Sequence, residues 1–299
     1  MIETWVLFAL ASAFLLAVTD VVDKIMFSKY APSVRAYAVF SGCVQLAAGA
    51  ALLAFYPLPS ALSLETITWM IASSILVAAT YYLFYASVKS GSLARVIPAL
   101  YVYPLLTLVF AAAFLGENVT QIQAFGIMLI VAGVTLTALR SKRGKIELRS
   151  GIALMLCVAL AVAAINVIEK YVLGFVNPWT MVGFTGIVMG ALVVSTLAFK
   201  KTRDEVAACA KRPKFAFTAV ANEIFAMASY VTTAFALQAS LASLVAPITA
   251  VRPIIVLALS AAWGWAFPKH AFEKLSLRKS AVKIAGAVIV AVGAALVLS

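Results

Sequence analysis

The chain has 299 residues, of which 65% are hydrophobic and only 11% are charged, and its formal net charge is +12. A soluble domain carries about 25% charged residues, so this composition excludes an ordinary soluble enzyme or binding module and predicts a membrane protein. The positive charge does not indicate a nucleic-acid partner, because the basic residues are concentrated in short loops between apolar segments.

Ten apolar segments follow one another along the chain, and each approaches the roughly 20 residues that a helix needs to cross a bilayer. We number them spans 1 to 10: residues 5–27, 34–55, 66–88, 93–115, 120–139, 150–173, 178–199, 215–237, 241–266 and 279–298. They are apolar all round, which is typical of transmembrane helices and not of the alternating strands of a β-barrel. We therefore predict an all-α polytopic membrane protein with ten transmembrane helices.

Span 1 contains an acid–lysine pair, Asp23-Lys24, that returns near the end of span 6 as Glu169-Lys170. Asp20 returns as Asn166 in the same alignment. A proline follows nine residues after the acid in both copies. Repetition at this distance along a membrane protein predicts an internal duplication, which is usual in transporters.

Ionisable side chains inside spans are rare and usually face a cavity or a partner. Asp20 and Lys24 are four residues apart on one helix face, so they are placed where they could pair with one another. Glu169 and Lys170 are adjacent and cannot share one face, so they need partners on other helices or in water. Two interpretations stay open: a neutralised cluster at the membrane boundary, or residues that gate the pathway or bind a coupling proton. The gating or coupling candidates are Asp20, Asp23, Lys24, Glu169 and Lys170.

Prolines recur in the same way, since Pro98 and Pro104 of span 4 correspond to Pro247 and Pro253 of span 9. A proline inside a helix removes a hydrogen bond and kinks or breaks the helix. Helices broken near the midplane are a usual feature of binding sites in carriers built from inverted repeats, so Pro104 and Pro253 are further gating candidates. Packing kinks without a functional role are the alternative interpretation.

Gly126 and Gly133 of span 5 recur as Gly286 and Gly293 of span 10, which extends the duplication to the whole chain. We expect one five-helix repeat in residues 1–142 and a second in residues 143–299. Because five is odd, the second repeat enters the membrane from the opposite face, and the two repeats are inverted.

The loops after spans 1, 3, 5, 7 and 9 are basic and give the chain an orientation. Residues 200–214 contain six Lys or Arg, whereas the equivalent loop of the first half, residues 56–65, contains none. Short basic loops lie on the cytoplasmic side. With ten spans, we predict that both termini lie outside the cytoplasm and that the protein resides in the cell's inner or plasma membrane.

Glu223 in span 8 and Arg252 in span 9 break the repeat, since their equivalents are Ser74 and Tyr103. At 1.5 Å per residue they lie about 12 Å and about 16 Å from opposite membrane faces, which is a similar depth in a core about 30 Å thick. We expect them to approach each other or to face one water-filled cavity. A structural ion pair and a substrate site are both open; in the second, Arg252 binds a carboxylate.

Tyrosines in the middle of a span need hydrogen-bond partners or a wet cavity. We expect Tyr82, Tyr103 and Tyr230 to line such a cavity, and Asn166 to form hydrogen bonds in it. Tyr101 is expected to point away from Tyr103, because residues two apart on a helix do not share a face. The candidate substrate-binding residues are therefore Tyr82, Tyr103, Asn166, Glu223, Tyr230 and Arg252.

The order of these motifs resembles the EamA-domain family of the drug/metabolite transporter superfamily. The resemblance rests on the acid–lysine segment of span 1, residues 85–92 after span 3, the prolines of span 4, the Leu115-Gly116-Glu117 turn and the glycines of span 5. The second half departs from the family pattern because it lacks the Gly-Glu turn after span 9. The resemblance implies export or exchange of small metabolites, with amino acids, including aromatic ones, as one substrate branch.

We therefore expect an inner-membrane transporter that exports or exchanges small metabolites, foremost amino acids, by alternating access. A carrier of sugar phosphates, nucleotide sugars or cationic drugs on the same fold is the alternative. The chain has no H-E-x-x-H or G-x-S-x-G motif, so we expect no catalytic residues, no cofactor and no metal site. The expected partners are the lipid bilayer, a small-molecule substrate and, if transport is coupled, a proton. We expect a monomer or weak dimer that binds no nucleic acid.

Overall fold

A computed structural model describes residues 3–30, 33–90, 99–138, 148–266 and 277–299. The helices of these residues are α1 Thr4–Tyr30, α2 Val34–Phe55, α3 Leu64–Ser90, α4 Tyr103–Phe110 with a π-helical turn Ala111–Leu115, α5 Gln121–Ala138, α6 Leu148–Val172, α7 Pro178–Val194 with a 3₁₀ turn Ser195–Ala198, α8 Lys200–Ala210, α9 Pro213–Ala239, α10 Ala242–Thr249, α11 Arg252–Ala266 and α12 Leu277–Val297. The predicted all-α class is confirmed for this part of the chain.

Seven helical segments of the described residues are long and apolar enough to cross a membrane, judged by length and composition. They coincide with predicted spans 1, 2, 3, 6, 7, 8 and 9. Three shorter apolar helices, Tyr103–Leu115, Gln121–Thr137 and Ile284–Val297, lie within predicted spans 4, 5 and 10. The protein is therefore a multi-pass membrane protein.

Two of the predicted spans are divided by a short break before a proline. In span 4 a turn at residues 101–102 interrupts the helix, and α4 begins with Pro104 in its first turn. In span 9 a turn at residues 250–251 precedes α11, which has Pro253 in its first turn. Proline is tolerated there because the N–H that it lacks would have no partner in the helix. The two breaks lie at positions that correspond in the sequence repeat.

The connection between α7 and α9 contains a helix, α8, that the sequence analysis did not predict. Thr202 and Cys209 are buried on one face of α8, seven residues apart, with half-buried Glu205 between them, while the other charged residues of α8 are exposed. Glu205 of α8 accepts a hydrogen bond from Ser33 and lies 3.6 Å from the guanidinium of Arg35. These contacts hold α8 against the start of α2.

Helices of the first half pack mainly on helices of the second half. α1 packs on α9, α10 and α11, while α3 and α4 pack on α6. α2 packs on α7, and α5 packs on α12. The described parts of both halves therefore form one bundle, and the helix breaks of α4 and α10–α11 meet inside it.

Glycines allow α5 and α12 to approach closely. A Cβ atom on Gly126 would lie 2.7 Å from the carbonyl oxygen of Gly293, and one on Gly133 would lie 2.7 Å from that of Gly286. Backbone atoms cannot move aside as a flexible side chain can, so a larger residue would push the helices apart. The earlier glycine of each helix meets the later glycine of the other, so the two helices run antiparallel.

Candidate functional site

A cavity of about 350 Å³ lies between helices of both halves, next to the two helix breaks. Its wall is formed by α1, α2, α3 and α4 and by α6, α7, α9, α10 and α11. The charged side chains of the described lining are Asp20, Asp23, Glu169, Glu223 and Arg252. Four carboxylates thus face one guanidinium in a region where an unpaired charge costs about 3 kcal/mol or more.

Arg252 lies in the first turn of α11, which packs on α1. Its Nε is 2.8 Å from Oδ2 of Asp20, and the two side chains are 24% and 33% exposed. The Nε–H does not point at the carboxylate, so the contact is an ion pair without an aligned hydrogen bond. The guanidinium also interacts with the side chain of Tyr101. This pair places one positive charge, already balanced, at the cavity wall.

The ion pair bears on two sequence expectations. Of the two alternatives for Glu223 and Arg252, the structure has the shared cavity, and Arg252 pairs with Asp20 and not with Glu223. Asp20 has a partner on another helix, and the side chain of Lys24, the partner suggested by the sequence, lies outside the described part of the structure. The cause is the break before α11, which directs Arg252 toward α1. Counting depth along an unbroken helix cannot reveal this change of direction.

Asp23 belongs to a group of polar side chains shared by α1, α2 and α9. Its Oδ1 accepts a hydrogen bond from Nδ2 of Asn222 at 2.7 Å and another from the hydroxyl of Tyr37. Asn222 Nδ2 also donates to the Tyr37 oxygen at 2.9 Å. Asn222 is only 3% exposed, so these hydrogen bonds form away from lipid and water, where they are electrostatically stronger.

Glu223 follows Asn222 on α9 and extends this group along α2. Its Oε1 accepts a hydrogen bond from Nε2 of Gln45, and both residues are buried. The hydroxyl of Ser41 lies near the Glu223 carboxylate but lacks hydrogen-bond geometry. Residues 37, 41 and 45 are four apart, so they form one stripe of α2. We call the following residues the polar cluster: Asp23, Tyr37, Ser41, Gln45, Asn222 and Glu223.

Tyrosines line the middle of the cavity. The hydroxyls of Tyr81 and Tyr230 lie 3.1 Å apart, which joins α3 to α9. The Tyr103 hydroxyl donates to the carbonyl oxygen of Ala246 and is also 3.1 Å from the hydroxyl of Thr249. Tyr103 therefore connects the break of the first half to the break of the second.

The structure corrects two expectations about tyrosines. Tyr82 does not line the cavity, because it is 46% exposed on the outer surface of α3, and its neighbour Tyr81 faces inward instead. Tyr101 and Tyr103 both line the cavity, although on a continuous helix they would point apart. The turn at residues 101–102 resets the helical phase and brings both rings to the same side.

α6 contributes two polar residues to the wall. Asn166 Nδ2 donates to Oγ1 of Thr107 at 3.3 Å and links α6 to α4. Glu169 lines the cavity and has no hydrogen-bond or ion-pair partner among the described residues. Lys170 points elsewhere and donates to the carbonyl oxygen of Leu237 at 2.8 Å, near the end of α9. Lys170 thus has its partner on another helix, whereas Glu169 faces the cavity.

Beyond one end of the cavity lining, buried apolar residues such as Val6, Val176 and Leu237 pack together, and a carboxylate caps a helix of the other half there. Glu117 is 7% exposed and accepts hydrogen bonds from the backbone N–H groups of Ala242 at 2.8 Å and Ser243 at 3.0 Å. Negative charge is stabilised at a helix N-terminus, which here is the start of α10. Gly116 has φ +66°, a left-handed conformation that turns the chain so that Glu117 enters the bundle.

Aromatic rings complete this closure. Trp179 of α7 stacks on Tyr56 with ring centroids 5.5 Å apart and meets Phe235 of α9 edge-on at 5.6 Å. Phe8 of α1 stacks on the same Phe235 at 5.2 Å. We call the region formed by these rings, the Glu117 cap and the Lys170 contact the sealed end.

Pro104 and Pro253 do not belong to the described cavity wall. They lie in the first turns of α4 and α11, and the breaks before them set the directions of Tyr103 and Arg252. Their influence on the site is therefore through backbone geometry.

Four members of the polar cluster were missed in the sequence: Tyr37, Ser41, Gln45 and Asn222. A signal was present, because polar residues spaced by four in an otherwise apolar span indicate a helix face that avoids lipid. Asn222 precedes Glu223 directly, and a second polar residue beside a buried acid is a similar indication.

The sequence matches a family model, and the fold is similar to a solved structure. A family model described as "EamA-like transporter family" matches residues 3–139. No curated protein matches the sequence. A solved structure described as "Crystal structure of protein" is similar over 98% of this chain and 96% of its own, with a TM-score of 0.72 and 15% identity. That likeness concerns the fold alone, and it extends over both halves.

Proposed function

We propose that this chain, whose residues 3–139 belong to the EamA-like transporter family, exports or exchanges small metabolites, foremost amino acids, by alternating access. The observation that carries the proposal is the cavity, which is lined by both halves, contains charges of both signs and is closed at one end. A carrier needs such a site between two parts that can move against each other.

Helix packing supports two inverted repeats of five helices, residues 1–142 and 143–299. If α1 corresponds to α6 and α3 to α9, the contact of α1 with α9 is the counterpart of that of α3 with α6. The glycine contacts follow the same correspondence between the halves. Gly126 contacts Gly293, and their counterparts Gly286 and Gly133 contact each other. A two-fold relation between the halves accounts for these reciprocal contacts.

In alternating access, the sealed end would open while the other end of the cavity closes. The contacts of the sealed end are noncovalent and join the two halves, so they can part when the halves rock. The counterparts of Glu169 and Lys170 are Asp23 and Lys24 at the other end of the cavity. We propose that this second acid–lysine pair belongs to the gate that closes there.

Amino acids are the substrate class that we propose first, because a zwitterion needs a cation for its carboxylate and acceptors for its ammonium group. Arg252, held by Asp20, presents the planar guanidinium that suits a carboxylate. The remaining carboxylates, Asp23, Glu169 and Glu223, provide acceptors on the same cavity wall.

Organic cations are the second candidate class, favoured by the excess of carboxylates over the single guanidinium in the described lining. Phosphorylated sugars fit less well. Phosphate groups usually draw several basic side chains, whereas the described cavity lining contains one, Arg252.

The distribution of basic loops supports an orientation with those loops in the cytoplasm and both termini outside. The sealed end would then face outward, and the polar cluster would lie toward the cytoplasm. We place the protein in the inner or plasma membrane as a monomer or weak dimer, and we propose Asp20 or Glu223 as the carrier of any coupling proton.

Counterflow in proteoliposomes tests this function. Vesicles that contain the purified protein and an excess of unlabelled amino acid should accumulate the labelled amino acid, whereas protein-free vesicles should not. Parallel vesicles loaded with an organic cation or with glucose 6-phosphate separate the substrate classes, and a pH gradient tests proton coupling. Absence of transport for every class would contradict the proposed function.

A further inference from the structure

We propose that the polar cluster binds the protonated amine of the transported molecule, so that the protein selects substrates with a primary ammonium group. The proposal deepens the proposed transport function and rests on it. It concerns residues of α1, α2 and α9, beginning at Asp23, which lies about one helical turn along α1 from Asp20 of the Arg252–Asp20 pair.

The hydrogen-bond donors of the cluster are already in use. The Tyr37 hydroxyl and the Asn222 Nδ2 group both donate to Oδ1 of Asp23. Gln45 Nε2 donates to Oε1 of Glu223. The cluster therefore turns its amide and phenol donors inward, onto its own carboxylates, and presents few donors to the cavity.

Acceptors, by contrast, are left without partners. Oδ1 of Asn222 and Oγ of Ser41 have no hydrogen bond in the described structure, although both residues are only 3% exposed. A buried polar atom without a partner is destabilising, and native proteins seldom keep one without a reason. Both residues belong to the cavity wall, and because the two oxygens are buried, a ligand reaches them when the side chains rotate toward the cavity.

The second oxygens of the two carboxylates point to the same conclusion. Every hydrogen bond described for Asp23 reaches its Oδ1, and the one described from Gln45 reaches Oε1 of Glu223. Oδ2 of Asp23 and Oε2 of Glu223 therefore remain open to a further donor. A ligand with several N–H donors and a positive charge complements such a set.

A primary ammonium group has three N–H donors, no acceptor and a full positive charge. Two carboxylates supply the opposite charge, and the unpartnered oxygens of Asn222 and Ser41 accept its remaining hydrogen bonds. A quaternary ammonium group carries the charge but no donor, so it would leave those two oxygens unsatisfied. The cluster should therefore prefer a primary amine to its trimethylated analogue.

Calorimetric titration of the purified full-length chain in detergent tests this preference without requiring transport. L-Phenylalanine and phenethylamine should bind, whereas 3-phenylpropionate, which lacks the amine, and N,N,N-trimethylphenethylammonium should bind at least about ten-fold more weakly, the effect of losing hydrogen bonds to a charged group. Equal affinity for 3-phenylpropionate and L-phenylalanine, or no binding of either primary amine, would overturn the proposal.

The Ser41→Ala variant separates a binding role from a structural one. Ser41 makes no hydrogen bond in the empty cluster, so its replacement should leave the melting temperature unchanged while it weakens phenethylamine binding about ten-fold. Glu223→Gln should abolish amine binding. The exposed Glu65, outside the cavity, gives the matched control Glu65→Gln, which should bind amines as the parent protein does. Unchanged amine binding in Ser41→Ala and Glu223→Gln would contradict the proposal.

Sodium is another cation that oxygen ligands attract. Thermal unfolding in sodium chloride and in choline chloride distinguishes sodium binding from ammonium binding. Stabilisation by sodium chloride but not by choline chloride, lost in Ser41→Ala and independent of any amine, would assign the cluster to sodium and overturn the proposal. Counterflow distinguishes the proposed ammonium site from the proposed transport function. Amino-acid transport without amine selectivity would refute only the ammonium site, and amine binding without any transport would refute only the transport function.

Discussion

The two ends of the cavity are held by contacts of different kinds. At the sealed end charged side chains bind backbone groups, Glu117 at the start of α10 and Lys170 near the end of α9. In the polar cluster side chains bind one another, and two buried polar atoms have no hydrogen-bond partner among the described residues. The hydrogen bonds of the sealed end are formed within the protein and stabilise one conformation. In our proposal, the unpartnered oxygens of the polar cluster receive their hydrogen bonds from a ligand.

The largest effect is expected at the ion pair between these two ends. Arg252→Gln removes the only guanidinium of the described cavity wall and should abolish amino-acid counterflow. It also leaves Asp20 without its partner, which should lower the free energy of unfolding by about 3 kcal/mol.

The double variant Asp20→Asn/Arg252→Gln separates the two consequences. Thermal unfolding in detergent should show that stability is largely recovered, because no uncompensated charge is left, while transport stays absent. Recovery of transport in the double variant would mean that the pair has a purely structural role.

Glu117→Ala should have the next largest effect, confined to the sealed end. It removes the hydrogen bonds to Ala242 and Ser243 and the negative charge at the start of α10, at an expected loss of about 3 kcal/mol. Thermal unfolding measures this loss, and Asp204→Ala, at an exposed acid of α8, should change stability by less than about 0.5 kcal/mol. Equal stability of the two variants would show that the cap does not hold this end.

Gly133→Val tests packing away from both ends. Its Cβ would lie 2.7 Å from the carbonyl oxygen of Gly286, so α5 and α12 must separate, with an expected loss of about 2 kcal/mol. The exposed neighbour Ala132 provides the matched control Ala132→Val, which should unfold at the parent temperature. An unchanged melting temperature for Gly133→Val would contradict the close helix contact.

The smallest effect is expected from removing the hydroxyl of Tyr81, with Tyr82 as the comparison. Tyr81→Phe removes the hydroxyl that lies 3.1 Å from that of Tyr230 at the cavity, and should weaken amino-acid binding about five-fold, as the loss of one hydrogen bond does. Tyr82→Phe changes the outer surface and should leave binding unaltered. A larger effect of Tyr82→Phe would restore the original sequence prediction over the orientation in the structure.

The apolar helices and the positions of both breaks were predictable from the sequence, because apolar length and proline act locally. The charged positions Asp23, Glu223 and Arg252 were also recognised, since an ionisable residue in an apolar span is conspicuous. Their partners were not predictable. The Asp20–Arg252 pair depends on the direction that the chain takes after residues 250–251, and a turn of this kind resets the helical phase.

The residues that were missed have a common cause. Ser41, Gln45 and Asn222 are neutral, and neutral polar residues are cheap enough in a membrane helix to be passed over. Helix α8 was missed because its basic residues indicated a cytoplasmic loop and concealed the buried face formed by Thr202 and Cys209. In both cases the regular spacing of residues along the helix indicated its inward face, whereas the composition of the segment did not.

The central claim, that one cavity opens alternately at its two ends, is tested most directly by a distance across the sealed end. Spin labels at Asn118 and Ala239 flank this end, in a variant whose cysteines 43, 157 and 209 are replaced by serine. In proteoliposomes that exchange a transported amino acid, double electron–electron resonance should show a short distance and a second, longer one whose population changes with substrate. A single short distance under active counterflow would contradict the claim.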